Sequence, residues 1–207
     1  MKRSVVLGVA VVAAVVLAGC TPSRVPVVEG PTMIATPTIV GATVSDSPLE
    51  VDEWVIAARA ADLGYVLASN NADFSISQFT STHSENATAG RFYDWRGSHA
   101  DTGEAAFVYP GPSVMQVVSV VSDGPDSATV TFCDGSDYWI EGAPALTDGR
   151  PRAFYMARDG STILFSSSSI SFTVCDASGA PVGRFDPVPT ELGVLTKADV
   201  RAPLSLD

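Results

Sequence analysis

The sequence predicts an α+β domain in which N-terminal helices pack on a curved, cone-like antiparallel β-meander. Three observations support this class: a capped amphipathic segment begins at Ser47, strand-like segments follow residue 112, and Asp-Gly pairs separate those segments. Helices followed by a run of strands are typical of α+β domains, in which the helices cover one face of the sheet.

The first helix is predicted from Ser47 to about Ala68. Ser47 offers a hydroxyl N-cap, Pro48 suits the first helical position, and Glu50 stands three residues after the cap. Apolar residues then recur every three or four positions, which predicts a stripe that faces the rest of the domain. The stripe consists of Leu49, Val55 or Ile56, Ala60, Leu63 and Leu67, and Asn70-Asn71 follows it as a helix end.

A second helix is predicted over about residues 84–99. Phe92, Trp95 and His99 recur at helical spacing and would share one face. Gly90 and Gly97 interrupt this segment and weaken the helical pattern.

The strands are predicted after residue 112. Residues 114–121 are apolar and β-branched, residues 128–133 and 152–158 alternate between apolar and polar, and residues 162–174 form a long Ser-rich segment. Asp-Gly pairs begin at Asp123, Asp134, Asp148 and Asp159, at intervals of 11, 14 and 11 residues. Such pairs favour tight hairpin turns, so the segments should form an antiparallel meander.

The first nineteen residues have the layout of a secretory signal. Lys2 and Arg3 precede an unbroken apolar run from Val5 to Ala18. This run is shorter than the roughly 20 residues that a membrane span requires. Residues 1–19 are therefore predicted to be a signal peptide.

Leu17-Ala18-Gly19-Cys20 follows at the point where cleavage is expected, and this tetrapeptide resembles the lipobox of bacterial lipoproteins. The resemblance implies cleavage before Cys20 and attachment of a diacyl group, with acyl chains such as palmitate, to the Cys20 thiol. The new amine of Cys20 is often acylated as well. Two or three acyl chains give stable anchoring, whereas one gives only marginal binding. The expected location is the extracytoplasmic face of the cell membrane; the alternative is an ordinary secretory signal with a chance cysteine.

Three further segments are expected beyond the signal. Residues 20–46 contain the lipidated cysteine and a Pro- and Thr-rich stretch that predicts a flexible tether. Residues 47–175 contain the predicted α+β domain. Residues 176–207 are a polar C-terminal extension that would wrap the surface or fray.

Cys133 and Cys175 remain once Cys20 is assigned to the anchor, and an even pair in an oxidising compartment predicts a disulfide. Both cysteines occupy the polar positions of alternating segments, which would place them on one side of a shared sheet. Two free thiols, or a pair that binds a metal, are the alternatives.

The charge of the chain excludes one class of partner. The formal net charge is -11, and loss of Lys2 and Arg3 with the signal changes it to -13. Nucleic-acid binding depends on clustered Lys and Arg, so no nucleic acid is expected as a partner.

The order of these features resembles a known group of proteins. The chain resembles a group of lipoproteins from high-GC Gram-positive, actinobacterial species. The resemblance rests on the order of a helix, a second helical segment, Tyr109-Pro110-Gly111-Pro112, and residues 128–131 leading to Cys133-Asp134. Their domain is similar to the nuclear transport factor 2-like, or cystatin-like, α+β cone. The resemblance implies either a ligand pocket or an active site inside the cone, since both occur in similar cones.

The residue content of the strands favours a non-catalytic protein. The strand cores contain no Asp, Glu, His or Lys, whereas catalytic cones need acids inside a dry pocket. The function expected is the binding of an envelope protein or an apolar small molecule. An isomerase- or hydrolase-type enzyme is the alternative, with Tyr155 or Tyr138 and Asp73 as its groups.

Three aromatic residues are the candidates for ligand or partner contact, and the histidines are the candidates for metal binding. Tyr138 and Trp139, together with Tyr155, are the candidates for contact with a pocket ligand or partner. His83 and His99 lie sixteen residues apart without Cys or paired carboxylates at ligand spacing, so neither a metal nor a cofactor is expected.

Overall fold

A computed structural model describes residues 34–41, 45–135 and 148–206 of the chain. The helices are α1 (Glu53–Asn71), α2 (Ser77–Thr80) and α3 (Glu85–His99). The strands are β1 (Thr38–Val40), β2 (Met115–Gly124), β3 (Ser127–Asp134), β4 (Asp148–Asp159), β5 (Thr162–Ile170), β6 (Cys175–Asp176) and β7 (Arg184–Asp186). Helices precede an antiparallel meander, which confirms the predicted α+β class.

The first helix begins later than the sequence pattern predicts. Ser47 caps a short 3-10 turn, and its hydroxyl accepts a hydrogen bond from the Leu49 amide. The backbone becomes extended at Asp52, whose carboxylate then caps α1 by accepting from the Trp54 amide at 2.9 Å. Because two caps occur in succession, the helix starts at Glu53 rather than after Ser47.

The buried face of α1 agrees with only part of the predicted stripe. Val55 and Leu67 are buried, and Leu63 packs at the edge of the core. In contrast, Ile56 is 56% exposed, and Ala60 also faces solvent. Small residues at 58, 61, 64 and 68 are buried as well, so the buried face of α1 includes small residues that the predicted stripe left out.

The second predicted helix is confirmed as α3. The Ser84 hydroxyl caps it by accepting from the Ala87 amide. Phe92 and Trp95 are buried, and the ring of His99 stacks on Trp95 with centroids 4.7 Å apart. Gly90 and Gly97 lie on the open side of the helix, where nothing approaches them within 4 Å.

The sheet is the predicted meander, with strand order β2-β3-β4-β5 and every pairing antiparallel. Asp159-Gly160 forms the turn between β4 and β5, where Gly160 has a φ of 61°. The other Asp-Gly pairs lie at strand ends: Asp123-Gly124 ends β2, Asp134 ends β3 and Asp148 begins β4. The connection between Asp134-Gly135 and Asp148 lies outside the described residues. The predicted strand over residues 162–174 ends at Ile170 as β5.

A disulfide joins Cys133 and Cys175, with an S–S distance of 2.03 Å. Cys175 does not continue β5 as the alternation predicts; it begins β6, which pairs with the start of β4. Cys133 lies opposite Pro151 of β4, and Cys175 lies opposite Gly149. The bridge therefore spans β4, and a side chain at Gly149 would approach the Cys133 sulfur to 2.8 Å.

Two apolar clusters hold the helices on the sheet. The first lies between the start of α1 and the sheet and includes Val55, Ala58, Phe132, Phe154 and Phe165. The second joins α1, α2 and α3 to the C-terminal residues. It is rich in aromatic rings, with Phe74, Phe79, Phe92, Trp95 and Phe185 at its centre.

Both ends of the described chain pack on this second cluster. β1 pairs with β7, and the Gln78 side-chain amide donates to the Ile34 carbonyl at 2.6 Å. Phe185 is buried, as are Leu195 and Val200. Ile34 thus packs against the second cluster while the residues of β1 stay exposed, and the C-terminal residues add buried apolar side chains to the core.

Candidate functional site

Polar side chains meet inside the domain between α1, α3 and the ends of β3 and β4. Electrostatic coupling links Asp62 to Arg152, Asp134 and Arg91, and links Tyr109 to Tyr65 and Asp62. This set is named here the Asp62 cluster: Asp62, Tyr65, Arg91, Tyr109, Ser113, Asp134 and Arg152.

Asp62 is the most enclosed acid of the cluster, with 6% of its surface exposed. It lies one helical turn from the buried residues Ala58 and Val66, so α1 directs it into the domain. The Ser113 hydroxyl donates a hydrogen bond to its carboxylate at 2.9 Å. Burial raises the pKa of Asp62, although the charge of Arg152 opposes this effect.

Asp134 and Arg152 form an ion pair at one end of the sheet. Arg152 Nη1 donates to Asp134 Oδ2 at 3.0 Å, and the two side chains are only 19% and 8% exposed. Burial alone would lower the pKa of Arg152, but the charges of Asp62 and Asp134 together raise it. Arg152 therefore keeps its charge, and its guanidinium holds the Asp134 carboxyl by a hydrogen bond.

Arg91 of α3 differs from Arg152 in its partners. Its guanidinium lies over the rings of Tyr65 and Phe165, at 4.7 and 4.9 Å from their centroids, and donates to the Ser168 hydroxyl at 3.2 Å. Within the described ranges, no carboxylate forms an ion pair with it. Burial lowers its pKa, and the charge of Arg152 adds to this. Each ring contact contributes about 0.5–2 kcal/mol, but neither neutralises the charge.

Tyr109 is fixed by a neighbouring amide. Asn70 donates from Nδ2 to the Tyr109 carbonyl at 2.8 Å and accepts from the Tyr109 amide at 2.6 Å. The ring of Tyr109 lies edge-on to Tyr65, with centroids 6.4 Å apart. Burial raises the pKa of the Tyr109 phenol, so it stays protonated and can donate a hydrogen bond.

His83 is buried between the rings of Phe79 and Phe165. Its Nδ1 donates to the Phe79 carbonyl at 3.0 Å. Burial lowers the pKa of His83 to about 3, so the imidazole is neutral at neutral pH. Among the described residues, no group of three or more His, Cys, Asp or Glu side chains could hold a metal ion.

A groove of 740 Å³ lies where residues 34–38 meet the segment that begins at β7. Its walls are residues 34–38 and 185–190, and its floor includes Leu67, Asn70 and Leu192. Asp186 is the only ionisable residue in the described lining. This groove is named here the N-terminal groove.

The residues that the sequence singled out lie apart from the Asp62 cluster. Tyr155 is 40% exposed on the opposite face of β4, where its hydroxyl hydrogen-bonds to Ser169 at 3.1 Å. Asp73 caps the turn after α1 through Ser75. Tyr138 and Trp139 lie outside the described residues, as does the lipobox from Leu17 to Cys20.

The alternation of side chains along β3 and β4 indicates that Asp134 and Arg152 face inward, although neither was among the predicted site residues. Asp134 continues the alternation of Val130 and Phe132, and Arg152 precedes Phe154 at the same spacing of two. A charged residue at an inward position is the expected mark of a buried polar site. The Asp134-Gly135 pair also predicts a turn, and this prediction conflicts with the strand alternation that places Asp134 inward.

No family model, curated protein or solved structure matched this chain in three separate comparisons. Within the described ranges, each helix is too short or too polar to cross a membrane.

Proposed function

We propose that this chain is a lipoprotein anchored to the extracytoplasmic face of the cell membrane, and that its domain binds an apolar small molecule without catalysis. Leu17, Ala18, Gly19 and Cys20 support the anchor, because they stand at the end of an apolar run that follows Lys2 and Arg3. Acyl chains on Cys20 would hold the chain at the bilayer.

The N-terminal groove is the observation that carries the binding function. Its volume of 740 Å³ falls within the range of small-molecule sites, and most of its lining is apolar or uncharged. One wall begins at Ile34, which is fourteen residues from Cys20. Those residues reach at most about 50 Å, so the anchor would keep the groove near a membrane in which apolar molecules dissolve.

The state of the buried ionisable groups supports a non-catalytic domain. Asp134 is paired with Arg152, and burial between two rings lowers the pKa of His83 to about 3, so its imidazole is a weak base. Aromatic rings of the second cluster fill the space between α1, α2 and α3. A general base that is free to reach a substrate is therefore missing at these positions.

The anchor is tested by comparing Cys20→Ala with the wild type. The measurements are incorporation of a clickable palmitate analogue and recovery in the membrane fraction. Both should be lost, whereas Ser23→Ala, three residues along the tether, should retain both. A Cys20→Ala chain that is still acylated and membrane-bound would refute the anchor.

The binding function is tested by mass spectrometry of the whole chain purified from membranes of its own host. An apolar small molecule should co-purify with the wild type and with Val121→Trp, an exposed control on the sheet. It should be lost from Ala35→Trp, which fills the N-terminal groove. Recovery of a protein partner without any small molecule would replace this function with protein binding.

A second candidate function is an isomerase- or hydrolase-type enzyme, and one observation favours it. Asp62 has a raised pKa and lies in the electrostatic environment of Tyr109, which is the kind of acid and tyrosine pairing that such cones use. A turnover that Asp62→Asn abolishes without changing the unfolding temperature would establish it. Equal turnover by both proteins would exclude Asp62 from catalysis.

A further inference from the structure

Arg91 has the surroundings of a ligand-binding cation more than those of a structural one. The other half-buried arginines of the sheet end and of α1 each reach a carboxylate: Arg152 pairs with Asp134 at 3.0 Å, and Arg59 pairs with Glu50. Arg91 makes a single hydrogen bond, to Ser168, and lies over two rings. Asp62 acts on it only through the electrostatic field, without an ion pair among the described residues. A guanidinium presents five donors, so most of its hydrogen-bonding capacity is unused by the described residues.

The position of Arg91 allows a ligand to reach it. Arg91, Tyr65, Ser168 and Tyr109 are all half-buried, so part of each residue is open to solvent, whereas Asp62 is enclosed. The two rings orient the guanidinium plane, which favours recognition of a planar anion through two parallel hydrogen bonds. The Ser168 hydroxyl accepts from Arg91 and can donate its own proton to the same anion.

The charges nearby decide what kind of anion fits. Arg152 lies close enough to influence Arg91, and it attracts an anion as well. Asp62 and Asp134 belong to the same cluster and would repel a second negative charge. The formal charge of the whole chain, -11, acts in the same direction. A singly charged carboxylate is therefore favoured over a doubly charged phosphate.

We propose that Arg91, oriented by Tyr65 and Phe165 and assisted by Ser168, binds the carboxylate of a small organic acid whose aromatic or apolar body packs against Tyr65. This site shares no lining residue with the N-terminal groove. Ligand binding at Arg91 is therefore independent of ligand binding in that groove. It assigns a second ligand class, monocarboxylates, to the domain.

The test uses the whole chain purified from host membranes in a non-ionic detergent, with benzoate as the probe and calorimetry as the readout. Benzoate should bind saturably to the wild type, and more tightly than inorganic phosphate. Arg91→Lys should weaken benzoate at least tenfold, because an ammonium cannot form the planar double hydrogen bond. Arg91→Met should abolish binding.

Arg96 provides a matched control on the same helix. It also lies over two rings, those of Phe92 and Tyr93, at 4.8 and 5.4 Å. Arg96→Lys should leave benzoate affinity unchanged. The proposal is overturned if benzoate fails to bind the wild type, if Arg91→Lys binds equally well, or if Arg96→Lys loses the same affinity. Arg91-dependent binding of phosphate as tight as that of benzoate would overturn the choice of a monocarboxylate.

A measurement on the unmodified sequence covers the case in which the Arg91 variants do not fold. Phenylglyoxal modifies accessible guanidinium groups, and peptide mass spectrometry locates the modified arginines. Benzoate should protect Arg91 from modification in the wild-type chain and leave the reaction of Arg96 unchanged. Equal protection of both arginines, or of neither, would contradict the site.

Discussion

Arg152 on β4 donates a hydrogen bond of 3.0 Å to Asp134 on β3, and both side chains lie on the face of the sheet that α1 covers. Each continues an alternating strand at a position where an apolar residue is expected. The sheet therefore ends in an ion pair under α1, and both residues of this pair belong to the Asp62 cluster.

Arg152→Met should destabilise the domain by about 3–5 kcal/mol, because Asp134 and Asp62 would lose the cation that offsets their burial. Arg158→Met is the control on the same strand, since Arg158 pairs with Glu53, whose side chain is 63% exposed. An exposed pair of this kind contributes about 0–1 kcal/mol. Urea unfolding followed by circular dichroism measures the free energy of unfolding of both variants. Equal losses would show that burial does not make the Arg152–Asp134 pair more important for stability than the exposed pair.

Gly64→Ala should destabilise the domain by at least about 1–3 kcal/mol, the usual cost of overpacking. A methyl group at Gly64 would overlap the backbone carbonyl of Gln78, so α1 and α2 would have to separate. Gly90→Ala in α3 meets nothing within 4 Å and should stabilise the helix by about 0.5–1 kcal/mol. Thermal unfolding of the two variants should move in opposite directions, and a neutral Gly64→Ala would contradict the packing of α1 on α2.

The free energy of unfolding should fall as the pH drops from about 6.5 towards 3, in part because of His83. Burial lowers the pKa of His83 from 6.5 to about 3 in the folded chain, so the unfolded chain binds the proton first. The contribution of His83 has a slope of up to about 1.4 kcal/mol per pH unit in this window.

His83→Gln isolates this contribution, since the carboxylates titrate in both proteins. The difference in unfolding free energy between wild type and variant should depend on pH only below about 6.5. Parallel stability curves across that range would mean that His83 is accessible to protons in the folded domain.

Replacing both Cys133 and Cys175 with Ala should lower the free energy of unfolding by about 4 kcal/mol, the value that loop-closure entropy gives for a loop of this length. The intact mass of the unreduced chain should also be two hydrogens below the reduced mass. Cys20→Ala serves as the control and should not change unfolding. Identical reduced and unreduced masses would show that the bridge does not form.

Local signals predicted the elements of this fold. Capping residues and helical spacing located α3 within one residue, and β-branched alternation located β2, β3 and β4. Asp159-Gly160 gave the turn between β4 and β5 because glycine tolerates the positive φ found there. The start of α1 was wrong because Ser47 and Asp52 are both adequate caps, and local sequence does not rank them.

The candidate site was harder to predict because its members are distant in the chain. Asp62, Arg91 and Arg152 come from two helices and a strand, and Tyr109 is placed by the amide of Asn70. Such proximity depends on how α1 and α3 pack on the sheet. Tyr155 lies on the outer face of β4 because its neighbours Phe154 and Met156 take the inner face, and its contact with a ligand or partner stays a prediction.

The sequence by itself determined the α+β class and the cysteine pair, because both depend on residue type and short-range spacing; the membrane anchor stays a prediction from the same kind of signal. Tertiary structure decided which charges are buried together and which are paired. It also brought Ile34 and the C-terminal residues Phe185, Leu195 and Val200 onto the core, since these apolar side chains gain burial only once the helices and sheet are in place.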